Sequence, residues 1–145
     1  MATAHSDVLR TGFAGYRPSA NEEFMNADQL GYFRQKLLAW KDDILREAAD
    51  TVSQLKAGPI QDADLNDRAS SETDWSIHLR TRDRQRKLIA KIDAALRRIE
   101  TGDYGFCESS GEPISLARLE ARPIATMTIE AQERHERQER VSREN

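Results

Sequence analysis

Asp64-Leu65-Asn66-Asp67-Arg68-Ala69 stands between two long stretches of helical periodicity, and the reading of this junction decides the fold. Before it, Leu30, Phe33, Leu37, Trp40 and Ile44 recur at spacings of three and four. After it, Leu88, Ile92, Ala95 and Ile99 do the same. Such spacing gives each helix one apolar stripe, and two stripes joined by a polar junction pair as an antiparallel hairpin. An arm of roughly 30 residues reaches about 45 Å at ~1.5 Å per residue. The acidic junction is expected at the far tip of such a hairpin, away from any core, where its carboxylates either cap a helix and keep the loop soluble or serve a function.

Working outward, composition narrows the classes. A chain of 145 residues fits one domain, or one small domain with an appendage, and 38% hydrophobic against 32% charged residues suits long solvated helices better than a deep core. The 22 basic and 25 acidic residues are closely mixed and sum to a net charge of −3, so indiscriminate nucleic-acid binding is not expected as the main activity. No apolar run is long enough to cross a membrane, and the N-terminus lacks the apolar core of a signal peptide. The single Cys107 excludes an internal disulfide. A cytoplasmic protein is the expectation.

Along the chain, the fold class is predicted as mainly all-α in three parts. Residues 1–25 form an arm anchored on a globular base through Phe13, Tyr16 and Phe24. Residues 26–102 form the coiled-coil hairpin, with its tip near 58–69, and 103–145 form a small base with a C-terminal helix. The first long helix opens at Asn26, a good N-cap with Gln29 three residues on, and stops at Gly58-Pro59. The second is predicted to open near Ser70, capped by Ser70 or Asp67, with Trp75 against Val52 and Leu79 against Ala48. It ends at Thr101, with Gly102 supplying the left-handed residue. Arg80 to Lys87 carries five cations and one Asp; this is a solvated face, or a surface for an acidic partner. A helical turn is expected around Leu116 to Leu119, and a charged helix from about Thr128 to Arg140.

Several short stretches, in unbroken order from residue 24 to the last helix, carry a resemblance. They are Phe24-Met25-Asn26, Asp64-x-x-Asp67-x-Ala69, Arg82 to Ile89, Tyr104-Gly-Phe-Cys-Glu-Ser109 and Arg118-Leu-Glu-Ala-Arg-Pro123. Together they resemble the DksA/TraR family of RNA polymerase-binding regulators. The resemblance implies a coiled coil that enters the secondary channel of RNA polymerase, its tip near the active site, where it destabilises promoter open complexes. It also implies ppGpp as an effector bound where the regulator meets the polymerase, and a zinc finger in the base. On this basis Asp64, Asp67 and Ala69 are the active-site-proximal tip. Arg84 and Leu88 dock on the polymerase rim, with seam packing the competing role for Leu88. Lys91 and Arg122 bind ppGpp, while a third family cation falls on Gln132, with Arg134 one turn away as a substitute.

The chain departs from the family at the zinc site. Two Cys-x-x-Cys pairs become Cys107-Glu-Ser-Ser110 and Thr128-Ile-Glu-Ala131, so one thiolate remains where structural zinc needs four Cys or His ligands. No zinc is expected. Apolar packing by Phe106, Ile114, Leu116, Leu119, Ile124, Met127 and Ile129 is expected to hold the base. Cys107 is expected to be a buried remnant, since no neighbour in sequence clearly lowers its pKa. The expected protein is a monomeric, non-enzymatic regulator. Two other classes share the acidic tip or the hairpin: a Gre-type transcript cleavage factor, and a structural coiled-coil protein.

Overall fold

A computed structural model of the chain describes residues 15–56 and 65–144. Four helices follow in order: α1 Ala27–Lys56, α2 Leu65–Thr101, α3 Leu116–Ala121 and α4 Ile129–Glu144. The described residues hold no strand, only an isolated antiparallel bridge between Phe106 and Pro113. The fold is all-α. No helix among these residues is long and apolar enough to cross a membrane.

The start of α1 follows from its cap. The Asn26 side chain accepts from the Gln29 N–H at 2.8 Å, and Gln29 Oε1 accepts from the Met25 N–H at 2.7 Å. This is a capping box whose return bond reaches one residue further back than usual. Gln29 is fully buried and also donates to the Ser19 carbonyl at 3.2 Å, so the cap fastens the preceding arm. Met25 sits in the left-handed region at φ 53°, against Gly105. A Cβ on Gly105 would lie 2.9 Å from Met25 Cγ, and its own φ is +89°, so both space and backbone require glycine there.

The start of α2 differs from expectation. The helix begins at Leu65, not near Ser70, so Asp67 lies in the first turn and neither Asp67 nor Ser70 is its N-cap. Nucleation is the costly step; once residues further along are helical, each added residue costs little, and an acid in the first turn suits the helix dipole. The other end agrees with the sequence. Gly102, at φ +84°, follows the last helical residue. The Asp103 N–H donates to the Arg98 carbonyl at 2.9 Å and the Gly102 N–H to Ile99 at 3.4 Å, the paired bonds of a Schellman motif.

The chain divides into two compact units, Leu38–Asp93 and Met1–Leu37 with Ala94–Asn145. In the first, Ile44 and Ile92 are buried, and Lys41 pairs with Asp93 at 2.7 Å from one helix to the other. On α2 between His78 and Ile92 the less exposed positions are His78, Thr81, Gln85, Leu88, Ile89 and Ile92, and all but Ile89 fall on an alternating spacing of three and four. That is the seam. Trp75 and Leu79, expected inside it, are each 49% exposed. The register that buries Ile92 and Ala95 brings His78 and Thr81 inward instead, because a heptad fixed at one end carries its phase along the helix.

In the second unit Phe33, Leu37, Ala95, Tyr104, Cys107, Ile114, Leu119, Ala125 and Ala131 are buried. Rings tie its parts: Tyr16 to Tyr32, Phe33 to Tyr104, and Phe24 edge-on to Phe106 at 5.4 Å. The buried Tyr104 hydroxyl donates to the Pro123 carbonyl at 2.7 Å. Tyr32 donates to the Glu120 carboxylate, which Lys36 also meets at 2.9 Å, joining α1 to α3. Burial pushes the Glu120 carboxyl up, but these bonds outweigh it and hold the group below its usual range. Of the expected base residues, Ile114 and Leu119 are buried and Phe106, Leu116, Ile124 and Met127 half-buried. Ile129 is not a packing residue: as the first residue of α4 it is 49% exposed, and Ala131 is buried in its stead.

Candidate functional site

The loop after α2 is built around Arg98 and Cys107. Arg98 donates to the Phe106 carbonyl at 2.7 Å and lies 3.8 Å from the Glu108 carboxylate, fixing the loop to the end of the helix. The Cys107 N–H donates to Glu112 at 2.8 Å and its carbonyl accepts from the Gly111 N–H at 2.9 Å, which closes a tight knuckle. The Ile114 N–H donates to Gly105 at 2.7 Å, and the Glu108 N–H to Thr126 at 2.8 Å.

Thr128 faces this knuckle. Its hydroxyl accepts from the Ala131 N–H at 3.2 Å, capping α4, and is 4.0 Å from Cys107 Sγ as a donor. Burial pushes the Cys107 thiol up. Donors aimed at the sulfur, namely the Ser110 hydroxyl and the backbone N–H groups of Thr128, Ser110 and Ser109, outweigh that and lower it to about 6. The expectation that no neighbour lowers this pKa is therefore wrong. The donors are mostly backbone amides brought close by the fold, which side-chain identities do not announce. Cys107 is buried, as expected.

Among the described residues no group of three or more His, Cys, Asp or Glu side chains could hold a metal ion. The four former ligand positions, Cys107, Ser110, Thr128 and Ala131, carry one thiol and two hydroxyls as donors, and at Ala131 only a methyl group. The Thr128 hydroxyl is already engaged, and the Ala131 side chain offers nothing. That set does not fit tetrahedral zinc.

The α2 surface sorts the other residues. With the seam as heptad positions a and d, Arg84 and Lys91 occupy successive g positions, on one row with Ile77. They lie about 10 Å apart along the axis, at ~1.5 Å per residue. Both are exposed, while Leu88 is a half-buried d residue at the edge of the same side. Sequence reading named Arg84 and Lys91 separately; the heptad aligns them. Arg122 is exposed just after α3, in the other compact unit from Lys91. Gln132 is half-buried and donates to Glu136 at 3.1 Å; Arg134 is exposed. At the expected tip, Asp67 and Ala69 belong to the first turns of α2, and Asp64 lies outside the described residues, as does Phe13 of the arm.

Residues 29–99 match the family model described as DnaK suppressor protein DksA, N-terminal domain. Residues 102–137 match the prokaryotic dksA/traR C4-type zinc finger, so the base keeps that pattern while lacking three of its four thiols. Over 130 residues, 90% of this chain and 92% of the relative, it is 68% identical to the RNA polymerase-binding transcription factor DksA of Caulobacter vibrioides. The protein of the same name in Escherichia coli is 42% identical over 119 residues, 82% of this chain and 79% of that one. The solved structure of transcription factor DksA2 from Pseudomonas aeruginosa aligns with a TM-score of 0.74 at 38% identity, covering 94% of this chain and 98% of that one.

Proposed function

The chain belongs to the DksA family of RNA polymerase-binding transcription factors, and from that membership we propose how its parts act on the enzyme. It is an RNA polymerase-binding regulator of transcription. The observation that carries this is 68% identity over 130 residues to a relative of that description.

In this reading the coiled coil enters the secondary channel and docks by Arg84 and Leu88 on its rim. Their shared side of α2 supports that assignment, since one rigid helix then offers a guanidinium and an apolar contact together. The tip residues Asp64, Asp67 and Ala69 approach the active site. Carboxylates there meet basic side chains, backbone amides or a bound magnesium, and the small Ala69 permits close approach. The result is a shortened life of promoter open complexes.

Lys91 and Arg122 hold ppGpp at the interface with the polymerase, as two exposed cations suited to phosphate oxygens. Gln132 contributes no charge there. The protein acts in the cytoplasm as a monomer, binds no DNA itself and catalyses no reaction. Its base folds without zinc: Thr128, capping α4 beside Cys107, takes over the joining role that a metal would have had.

In-vitro transcription from a ribosomal RNA promoter, with and without ppGpp, tests this function. The expected result is repression strengthened by ppGpp, with no cleavage of nascent RNA in a stalled elongation complex. Undiminished transcription at saturating protein, or transcript cleavage, would overturn it.

A further inference from the structure

The distal part of α2 is inverted relative to an ordinary coiled coil. Its seam positions are His78, Thr81 and Gln85, all polar, while Trp75, Ile77 and Leu79 stand outside at 49%, 53% and 49% exposure. Seam packing gains from the reverse arrangement, with large apolar residues inside. Three large apolar side chains within five residues, all facing water, mark a surface that is covered by something else.

They fall on two sides. Ile77 belongs to the g row with Arg84 and Lys91, the side already assigned to docking. Trp75 and Arg82 occupy successive e positions, across the seam from that row, and Leu79 and Arg86 the b positions beside them. Trp75 and Leu79 are one turn apart, so they present one apolar patch; Arg82 and Arg86 extend it by two more turns. Among the described residues the ion pair in this stretch is Lys87 with Asp83, at 3.0 Å, and neither Arg82 nor Arg86 is paired with a carboxylate. An exposed tryptophan and leucine followed along the same side of the helix by two arginines without a carboxylate partner have the composition of an interface centre.

We propose that Trp75, Leu79, Arg82 and Arg86 form a second RNA polymerase-facing surface, so that α2 is gripped from both sides of its seam. The occupant is a polymerase surface with an apolar slot for Trp75 and Leu79, bordered by carboxylates that receive Arg82 and Arg86. This rests on the reading that the chain binds RNA polymerase. It adds a contact on the side away from Arg84, and it explains why this half of the helix gives up apolar seam packing. A clamp on one row alone would leave Trp75 in water.

The test is competition binding of the full chain to RNA polymerase, comparing wild type, Arg84→Ala and the double variant Trp75→Gln with Leu79→Gln. Helicity and melting temperature are measured on each. The double variant is expected to bind at least tenfold more weakly with its fold intact. Arg82→Glu with Arg86→Glu should weaken binding similarly and flatten its salt dependence. Benzoylphenylalanine at position 75, Trp75→benzoylphenylalanine, keeps an aromatic ring there and is expected to cross-link to the polymerase.

If wild type itself does not bind, the polymerase reading fails. If wild type binds and the double variant matches it within threefold, the second surface is refuted and the polymerase reading stands. Should the double variant unfold, the cross-link decides: none at position 75, alongside one from Arg84→benzoylphenylalanine, overturns the proposal. A wild-type dimer that Trp75→Gln dissolves would assign the patch to self-association and overturn it too.

Discussion

Cys107 has lost its three former partners and keeps a thiolate-favouring environment. Burial opposes ionisation, yet the Ser110 hydroxyl and three backbone N–H groups prevail and lower its pKa from 9.0 to about 6. A depressed acid pKa stabilises the fold fully above the unfolded value, loses that contribution as pH falls toward the folded value, and gives none below it. The stability difference between wild type and Cys107→Ala should thus grow as pH rises from about 6 to 9.0. Thiolate absorbance should titrate near pH 6 in the native protein and near 9 in denaturant. A native midpoint at or above 8 would contradict this account of the knuckle.

At the scale of elements, α4 depends on Thr128. Its hydroxyl accepts from Ala131 and points a donor at Cys107, so one side chain starts the helix and ties it to the loop. Thr128→Val keeps the shape and removes both bonds, and should cost about 1–2 kcal/mol in denaturant unfolding, whereas Thr128→Ser should recover most of it. Equal stability of the valine variant would show that the cap is immaterial. Lys91 and Arg122 belong to separate elements and make a different test. Alanine at either should raise the ppGpp concentration needed for half-maximal effect about tenfold, since a charge-assisted contact is worth ~1.5–3 kcal/mol. Polymerase affinity without ppGpp should change less, and an unaltered ppGpp response in both variants would remove them from the site.

The same scale shows what could be read in the sequence. The opening of α1 was legible because Asn26 and Gln29 act locally, and so was its close partner, the Gly102 stop of α2. The opening of α2 was not. Ser70 has the chemistry of a cap, but whether a helix passes through it depends on the stability of the helix beyond. The distal register was misread for a related reason. Hydrophobicity alone puts Trp75 and Leu79 inside, while the phase set by Ile92 and Ala95 puts His78 and Thr81 there. Ile129 failed likewise: it is apolar, but it is the first residue of a helix whose buried face begins at Ala131.

For the whole molecule, the zinc-finger pattern persists while the chemistry of a zinc site does not. Tyr104, Ile114, Leu119 and Ala131 are buried in the same unit as the knuckle, and Arg98 donating to the Phe106 carbonyl and the Thr128 hydroxyl facing Cys107 fasten it. On the proposed reading these contacts keep the base closed without metal. Purified protein should contain far less than one zinc per chain, and chelator should leave its melting temperature unchanged; stoichiometric zinc would refute this. The tip carries the remaining claim, that the hairpin exists to deliver Asp64 and Asp67 to the polymerase. Asn is close in size to Asp, and a charge in the first turn of a helix is worth only ~0.3–1 kcal/mol, so the double change should alter stability by only about 0–1 kcal/mol. The direct measurement is open-complex lifetime at a ribosomal RNA promoter, using chelator-treated protein at concentrations that saturate the polymerase. Wild type should shorten that lifetime, and Asp64→Asn with Asp67→Asn should bind equally well but leave it near the value for polymerase alone. A double variant that shortens the lifetime as wild type does, or a wild type that does not shorten it, would contradict the account.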